Sequence, residues 1–151
     1  MVDTTVPELL ADGDAAAVAA LVRRSREQAM PWLPTLHTPE EDRAFFAGEL
    51  EHGRAWGVRV AGELVGVAVV REGFLSQLYV APGWQGRGIG SALLAQARAA
   101  VVEPLQLWVV ARNTAARRFY ARHGFAEAER TDGSANEERE PDLRLVDDRR
   151  G

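Results

Sequence analysis

The chain has 151 residues, 46% hydrophobic and 26% charged, with a formal net charge of −4 and no cysteine. Length and balance describe a single globular domain able to bury roughly 70% of its extended surface. The charge argues against nucleic acid as the main partner, and the missing thiols exclude disulfides, Fe–S clusters and Cys-ligated zinc.

Met1-Val2-Asp3-Thr4 carries neither the basic nor the apolar region of a secretory signal. Apolar runs such as Val65 to Val70 are strand-length, far below the ~20 residues of a membrane span. A cytoplasmic protein with no membrane partner is the expectation. Val2 to Pro7 reads as a short first strand. Asp12-Gly13-Asp14 signals a helix start, and Ala15, Val18, Leu21, Val22, Ser25 and Ala29 follow at helical spacing up to about Met30. Thr38-Pro39-Glu40-Glu41 is a capping box with Pro at the first helical position. It opens a second helix to about Leu50, with Phe45, Phe46 and Leu50 as its apolar side.

From Trp56 the period becomes two. Trp56 to Val60, Leu64 to Val70 and Phe74 to Val80 are three strands joined by the turns Ala61-Gly62-Glu63 and Arg71-Glu72-Gly73, an antiparallel meander. A third helix, Ser91 to about Val101, offers Ala92, Leu93, Ala95, Ala99 and Ala100 as a packing surface. Leu105 to Val110 follows through this helix and should run parallel to the preceding strand. Asn113-Thr114 caps a fourth helix that stops at Gly124. Phe125 to Arg130 and Asp142 to Val146 close the sheet around a polar loop, and residues 147–151 read as a frayed tail. The fold class is α+β, a mixed and mostly antiparallel sheet of six to seven strands flanked by four helices in one domain, 1–151.

Between the third strand of the meander and the third helix lies Gln85-Gly86-Arg87-Gly88-Ile89-Gly90-Ser91. Glycines bring backbone N–H groups close to a ligand, and a helix start adds unpaired N–H groups and a positive dipole end. Such a turn suits a phosphate, although it also serves simply to join strand to helix. A P-loop requires a Lys, which this chain lacks. The dinucleotide fingerprint requires a third glycine, where Leu93 stands.

Two motifs decide between these readings: Gln85-x-x-Gly88-x-Gly90 behind Leu78-Tyr79-Val80-Ala81-Pro82, and Asn113-Thr114-Ala115-Ala116-Arg117-Arg118-Phe119-Tyr120 running to Gly124-Phe125. Together they resemble the GNAT superfamily of acyl-CoA-dependent N-acyltransferases. The likeness extends from about Trp56 to Val146; the first 50 residues join it only through their helix pattern. The resemblance implies an acetyl-CoA-dependent N-acetyltransferase without a metal. In it Gln85, Gly86, Arg87, Gly88, Ile89, Gly90 and Ser91 would hold the coenzyme A pyrophosphate. Leu78, Tyr79 and Val80, on a strand splayed from its neighbour near Asn113, would bind the pantetheine arm and the thioester carbonyl. Tyr120 would protonate the leaving thiolate. Read from the residues alone, Phe119-Tyr120 are equally core aromatics, and Asn113 is equally a helix cap.

No general base is legible, and Glu72 reads as a turn residue. Seven carboxylates lie between Glu127 and Asp142, and the resemblance implies that the loop before the last strand lines the acceptor side, so that Asn136, Glu137 and Glu138 would face a cationic amine acceptor such as a polyamine, an amino sugar or a peptide N-terminus. A solvated acidic loop has the same composition. Arg117, Arg118 and Arg122 suit either the 3′-phosphate of coenzyme A or solvent. Trp32, Trp56 and Trp84 read as core or loop anchors, and His37, His52 and His123 as surface or capping residues without metal spacing. A non-catalytic acyl-CoA sensor is the alternative function, as a monomer or homodimer.

Overall fold

Residues 6–148 are described in the computed structural model of the chain, and their frame is the expected meander. β2 (Arg54–Val60), β3 (Glu63–Arg71) and β4 (Phe74–Val80) pair antiparallel in chain order. Their connecting turns, Ala61-Gly62 and Glu72-Gly73, have positive φ at both residues, the mirror-image geometry that matches strand twist. β1 (Glu8–Leu9) adds to the free edge of β2. Residues 2–5 of the strand expected at 2–7 lie outside the described residues; Val6 and Pro7 precede β1 without strand structure.

β3 is buried without a break from Leu64 to Val70, so both its faces are covered. α1 (Ala15–Ala29) and α2 (Pro39–His52) pack on one face and α3 (Ile89–Ala99) on the other. α2 starts at the predicted capping box. Thr38 Oγ1 accepts the Glu41 N–H at 3.1 Å, and Glu41 Oε1 accepts the Thr38 N–H at 2.8 Å. Because Pro39 has no N–H, the helix start has three orphan donors, and two of them are thereby satisfied.

Two helix faces differ from expectation. α3 buries Ile89, Leu93, Leu94 and Ala97, whereas Ala95 and Ala99 point outward. Larger aliphatic groups remove more apolar area from water and so decide the rotation of the helix. In α2, Phe46 is buried but Phe45 is 54% exposed.

After α3 come β5 (Gln106–Val110), α4 (Thr114–Arg122), β6 (Phe125–Thr131) and β7 (Asp142–Asp147). β7 inserts between β5 and β6, giving the order β1-β2-β3-β4-β5-β7-β6. β4 and β5 are parallel and the other described pairs antiparallel. Seven strands and four helices make the expected mixed α+β fold. Of the tail, Asp147 ends β7, Asp148 donates its N–H to the Gly124 carbonyl at 2.9 Å, and 149–151 lie outside the described residues.

Candidate active site

The parallel pairing of β4 with β5 is confined to Phe74 and Gln106. Beyond that point the strands part. The cause lies in β4, where the register against β3 slips between Val69 and Val70 and leaves Ser76 as an extra residue, its Oγ donating to the Val69 carbonyl at 3.3 Å. A bulge of this kind bends and twists its strand. The Ala81 N–H bonds the Val65 carbonyl at 2.8 Å. By the alternation of an antiparallel ladder, Tyr79 and Ala81 therefore turn their backbone to β3, and Leu78 and Val80 turn theirs to the opening. The Val80 carbonyl is met by Gln85 Nε2 at 3.1 Å and Ser25 Oγ at 3.4 Å. The N–H groups of Leu78 and Val80 face the opening without a strand partner.

At the same end, Gly86 and Gly88 have φ of 77° and 83°, and a Cβ on either would stand in open space. They are required for backbone conformation, not for packing. Gly90 differs: its φ is not positive, and a Cβ there would lie in ordinary contact with the Phe119 ring at 3.4 Å and Val80 at 3.7 Å, where α3 meets α4 and β4. Gly88 is the N-cap of α3, and no side chain caps this helix, unlike α2 and α4. The first-turn N–H groups therefore point outward over an exposed loop. Ile89 is core, 2% exposed, and contributes only its backbone here. Arg87 lies 4.8 Å over the Trp84 ring, and Ser91 Oγ is 3.1 Å from His123 Nε2.

Asn113 caps α4, its Oδ1 accepting the Ala116 N–H at 3.2 Å. Tyr120 is buried between Phe119 and Phe125, with ring centroids 5.3 and 5.5 Å away. Its hydroxyl makes no hydrogen bond among the described residues. Burial, and then the neighbouring Tyr79, push its phenol above the ordinary range. Tyr79 is raised as well, by burial first, with Arg26 opposing and Glu138 adding to the shift. Arg26 on α1 and Glu138 on the loop before β7 thus both act electrostatically on Tyr79, which in turn acts on Tyr120.

Three loops are laced together beyond Tyr79. His37 Nε2 meets Glu137 Oε1 at 2.8 Å, Arg26 stands 3.6 Å from Glu138, and Arg112 reaches Glu140 at 3.2 Å while lying 3.8 Å over the Trp32 ring. Asn136 is spent inside its own loop, its amide bonding both the N–H and the carbonyl of Glu140 at 3.1 and 2.7 Å. Glu72 sits at the far end of β4, roughly 20 Å away along the strand. A cleft of about 220 Å³ opens between α1, the loop 30–37 and α2, with Glu138 on its rim. Sequence reasoning assigned no role to Arg26 or His37, nor to the Tyr79 side chain. Ser25 was the available signal, a polar residue on the apolar face of α1 that turns out 2% exposed against the end of β4.

Among known proteins, the family model of the acetyltransferase (GNAT) family matches residues 18–125. A comparison with curated protein sequences finds no significant match. Of solved structures, a GCN5-related N-acetyltransferase from Rhodopseudomonas palustris is similar at 25% identity and TM-score 0.78, with 98% of each chain covered. A ribosomal-protein-alanine N-acetyltransferase from Brucella melitensis is similar at 22% identity and TM-score 0.71, covering 93% of this chain and 98% of that one. A PaiA N-acetyltransferase from Thermoplasma acidophilum, in complex with coenzyme A, is similar at 20% identity and TM-score 0.69, covering 91% and 97%. With the splayed strands, the glycine turn and a family match over most of its length, this chain belongs to the GNAT acetyltransferase family.

Proposed function

We propose that the chain moves the acetyl group of acetyl-CoA directly to a primary amine of a small molecule or peptide, with both substrates bound together, in the cytoplasm. The observation that carries this reading is the opening between β4 and β5, at the end of which lies the uncapped start of α3. The residues present fit acetyl-CoA. Open space over Gly86 and Gly88 leaves room for a pyrophosphate against the N–H groups from Gln85 to Ser91. The N–H groups of Leu78 and Val80 would take the pantetheine arm and the thioester oxygen. One such donor aimed at a developing oxyanion contributes roughly 3–4 kcal/mol to transition-state stabilisation.

Tyr120 would give its proton to the departing thiolate. Its raised phenol stays protonated at neutral pH, and a thiolate leaving into the same desolvated space is a stronger base than in water. Proton transfer between two groups raised together remains feasible. The chain has no cysteine to carry an acyl group, which favours direct transfer over a thioester intermediate on the protein.

The test is a thermal-shift titration with acetyl-CoA followed by coenzyme A release across a panel of amines. Tyr120→Phe should lower kcat by about 10²–10⁴-fold and leave the acetyl-CoA shift unchanged. An unaltered kcat would remove the acid role. Acetyl-CoA binding with no amine acetylated would favour the sensor instead.

A further inference from the structure

The carboxylates from Glu127 to Asp142 look from sequence like a site for a polycation, but each is already partnered. Glu127 pairs with Arg130, Glu129 with Arg144, Glu137 with His37, Glu138 with Arg26 and Glu140 with Arg112. Asp132 accepts the Ser134 N–H, and Asp142 accepts the Thr131 hydroxyl. A polyamine would have to displace these cations one by one.

The loosest of these pairs borders the cleft. Arg26 and Glu138 are 3.6 Å apart, beyond hydrogen-bond reach, with side chains 38% and 26% exposed. The guanidinium makes no hydrogen bond among the described residues, whereas Arg23 nearby spends its donors on Asp42 and the His37 carbonyl. Both members of the loose pair line the cleft, and Arg26 follows Ser25, whose Oγ lies 3.4 Å from the Val80 carbonyl at the end of β4. The pair therefore stands on the side of the cleft next to that strand end. Part of the cleft wall is apolar, formed by Val22, Met30, Leu33 and Phe46, beside the charged or polar Arg23, Glu27, His37 and Asp42. At about 220 Å³ the cleft is below the roughly 300–1,000 Å³ of pockets for drug-sized ligands.

A cation with free donors, an anion a few ångströms away and an apolar wall of this size complement one kind of amine. We propose that the cleft is the acceptor subsite and takes a small zwitterionic α-amino acid with an apolar side chain. Its carboxylate lies on the Arg26 fork, a geometry guanidinium recognises in bidentate fashion. Its ammonium lies on Glu138 and its side chain against the apolar wall. The assignment rests on the acetyltransferase reading above, since it names the amine that reading leaves open.

The experiment is calorimetric titration of the chain, with and without coenzyme A, against L-leucine, isoamylamine (leucine without its carboxylate) and spermidine. L-Leucine should bind about ten- to hundredfold more tightly than isoamylamine, the effect of hydrogen bonds to a charged group, and more tightly than spermidine. Arg26→Gln should erase the advantage over isoamylamine while leaving isoamylamine binding and the melting temperature unchanged, and Arg26→Lys should restore part of it. Spermidine binding as tightly as L-leucine would overturn the subsite, as would an Arg26→Gln effect equal on both monoamines or no L-leucine binding at all. Coenzyme A release with the same amines reports separately on transfer. The expected binding order without release would uphold the subsite and count against the transferase reading.

Discussion

His37 holds a proton more readily than an ordinary imidazole, chiefly through its hydrogen bond to Glu137 and that carboxylate's charge, with Glu41 and Asp42 adding smaller contributions. A raised imidazole favours the laced loops at low pH: the His37–Glu137 contact is at full strength below the ordinary value of 6.5 and is lost as pH rises through the raised one. An NMR titration of the His37 ring should give a midpoint above 6.5, and Glu137→Gln should bring it down toward that value. A midpoint indifferent to Glu137 would dissolve the contact. Glu137 is one hundred residues from His37, so no local pattern could have revealed the pair. The positive φ of Gly86 and Gly88 was legible, because an alternation of glycines before a helix already demands unusual backbone geometry. That Gly90 faces Phe119 was not, since it depends on how α3 and α4 meet.

At the scale of elements, the helix starts were the most legible features. Thr38 and Asn113 each satisfy an N–H group three residues away, a matter of local geometry. The rotation of α3 was less so, because it is decided by the sheet beneath it. Gly66 admits Ile89 and Leu93 into β3, with a Cβ position 2.7 and 3.0 Å from their side chains. Gly66→Val should push α3 off the sheet at a cost of about 1–3 kcal/mol, several degrees of melting temperature at roughly 2–4 °C per kcal/mol for a chain of this size. The same displacement moves the first turn of α3, so acetyl-CoA should stabilise the variant less than the parent chain in a thermal-shift assay. A variant with unchanged melting temperature and ligand response would show that the helix start does not depend on this contact.

Across the whole molecule, Arg98 joins the two halves of the sheet. From α3 it pairs with Asp147 at the end of β7 at 2.8 Å, bonds the His123 carbonyl and lies 5.1 Å over the Phe125 ring. Both charged side chains are nearly buried, at 14% and 10% exposure. Removing one partner of such a pair leaves a desolvated charge behind. Arg98→Ala should cost about 3 kcal/mol, measured by chemical denaturation. A loss under about 1 kcal/mol, the range of an exposed pair, would mean that water already reaches Asp147. This contact also explains why Asp147 is held in β7, although by composition it looked like the start of a loose tail.

The sequence by itself determined the order of elements, the helix caps at Thr38 and Asn113, the glycine turn and the family to which these belong. Each of those rests on residues within a few positions of one another, where periodicity, φ preference and hydrogen-bond reach act directly. Tertiary structure alone decided that β4 parts from β5 after a bulge at Ser76, that Ser25 of α1 meets the end of β4, and that Glu129, Glu137, Glu138 and Glu140 are met by arginines and a histidine from other elements. Those outcomes depend on which side chains the sheet brings together across long stretches of chain. Charge and burial there are set by neighbours in space.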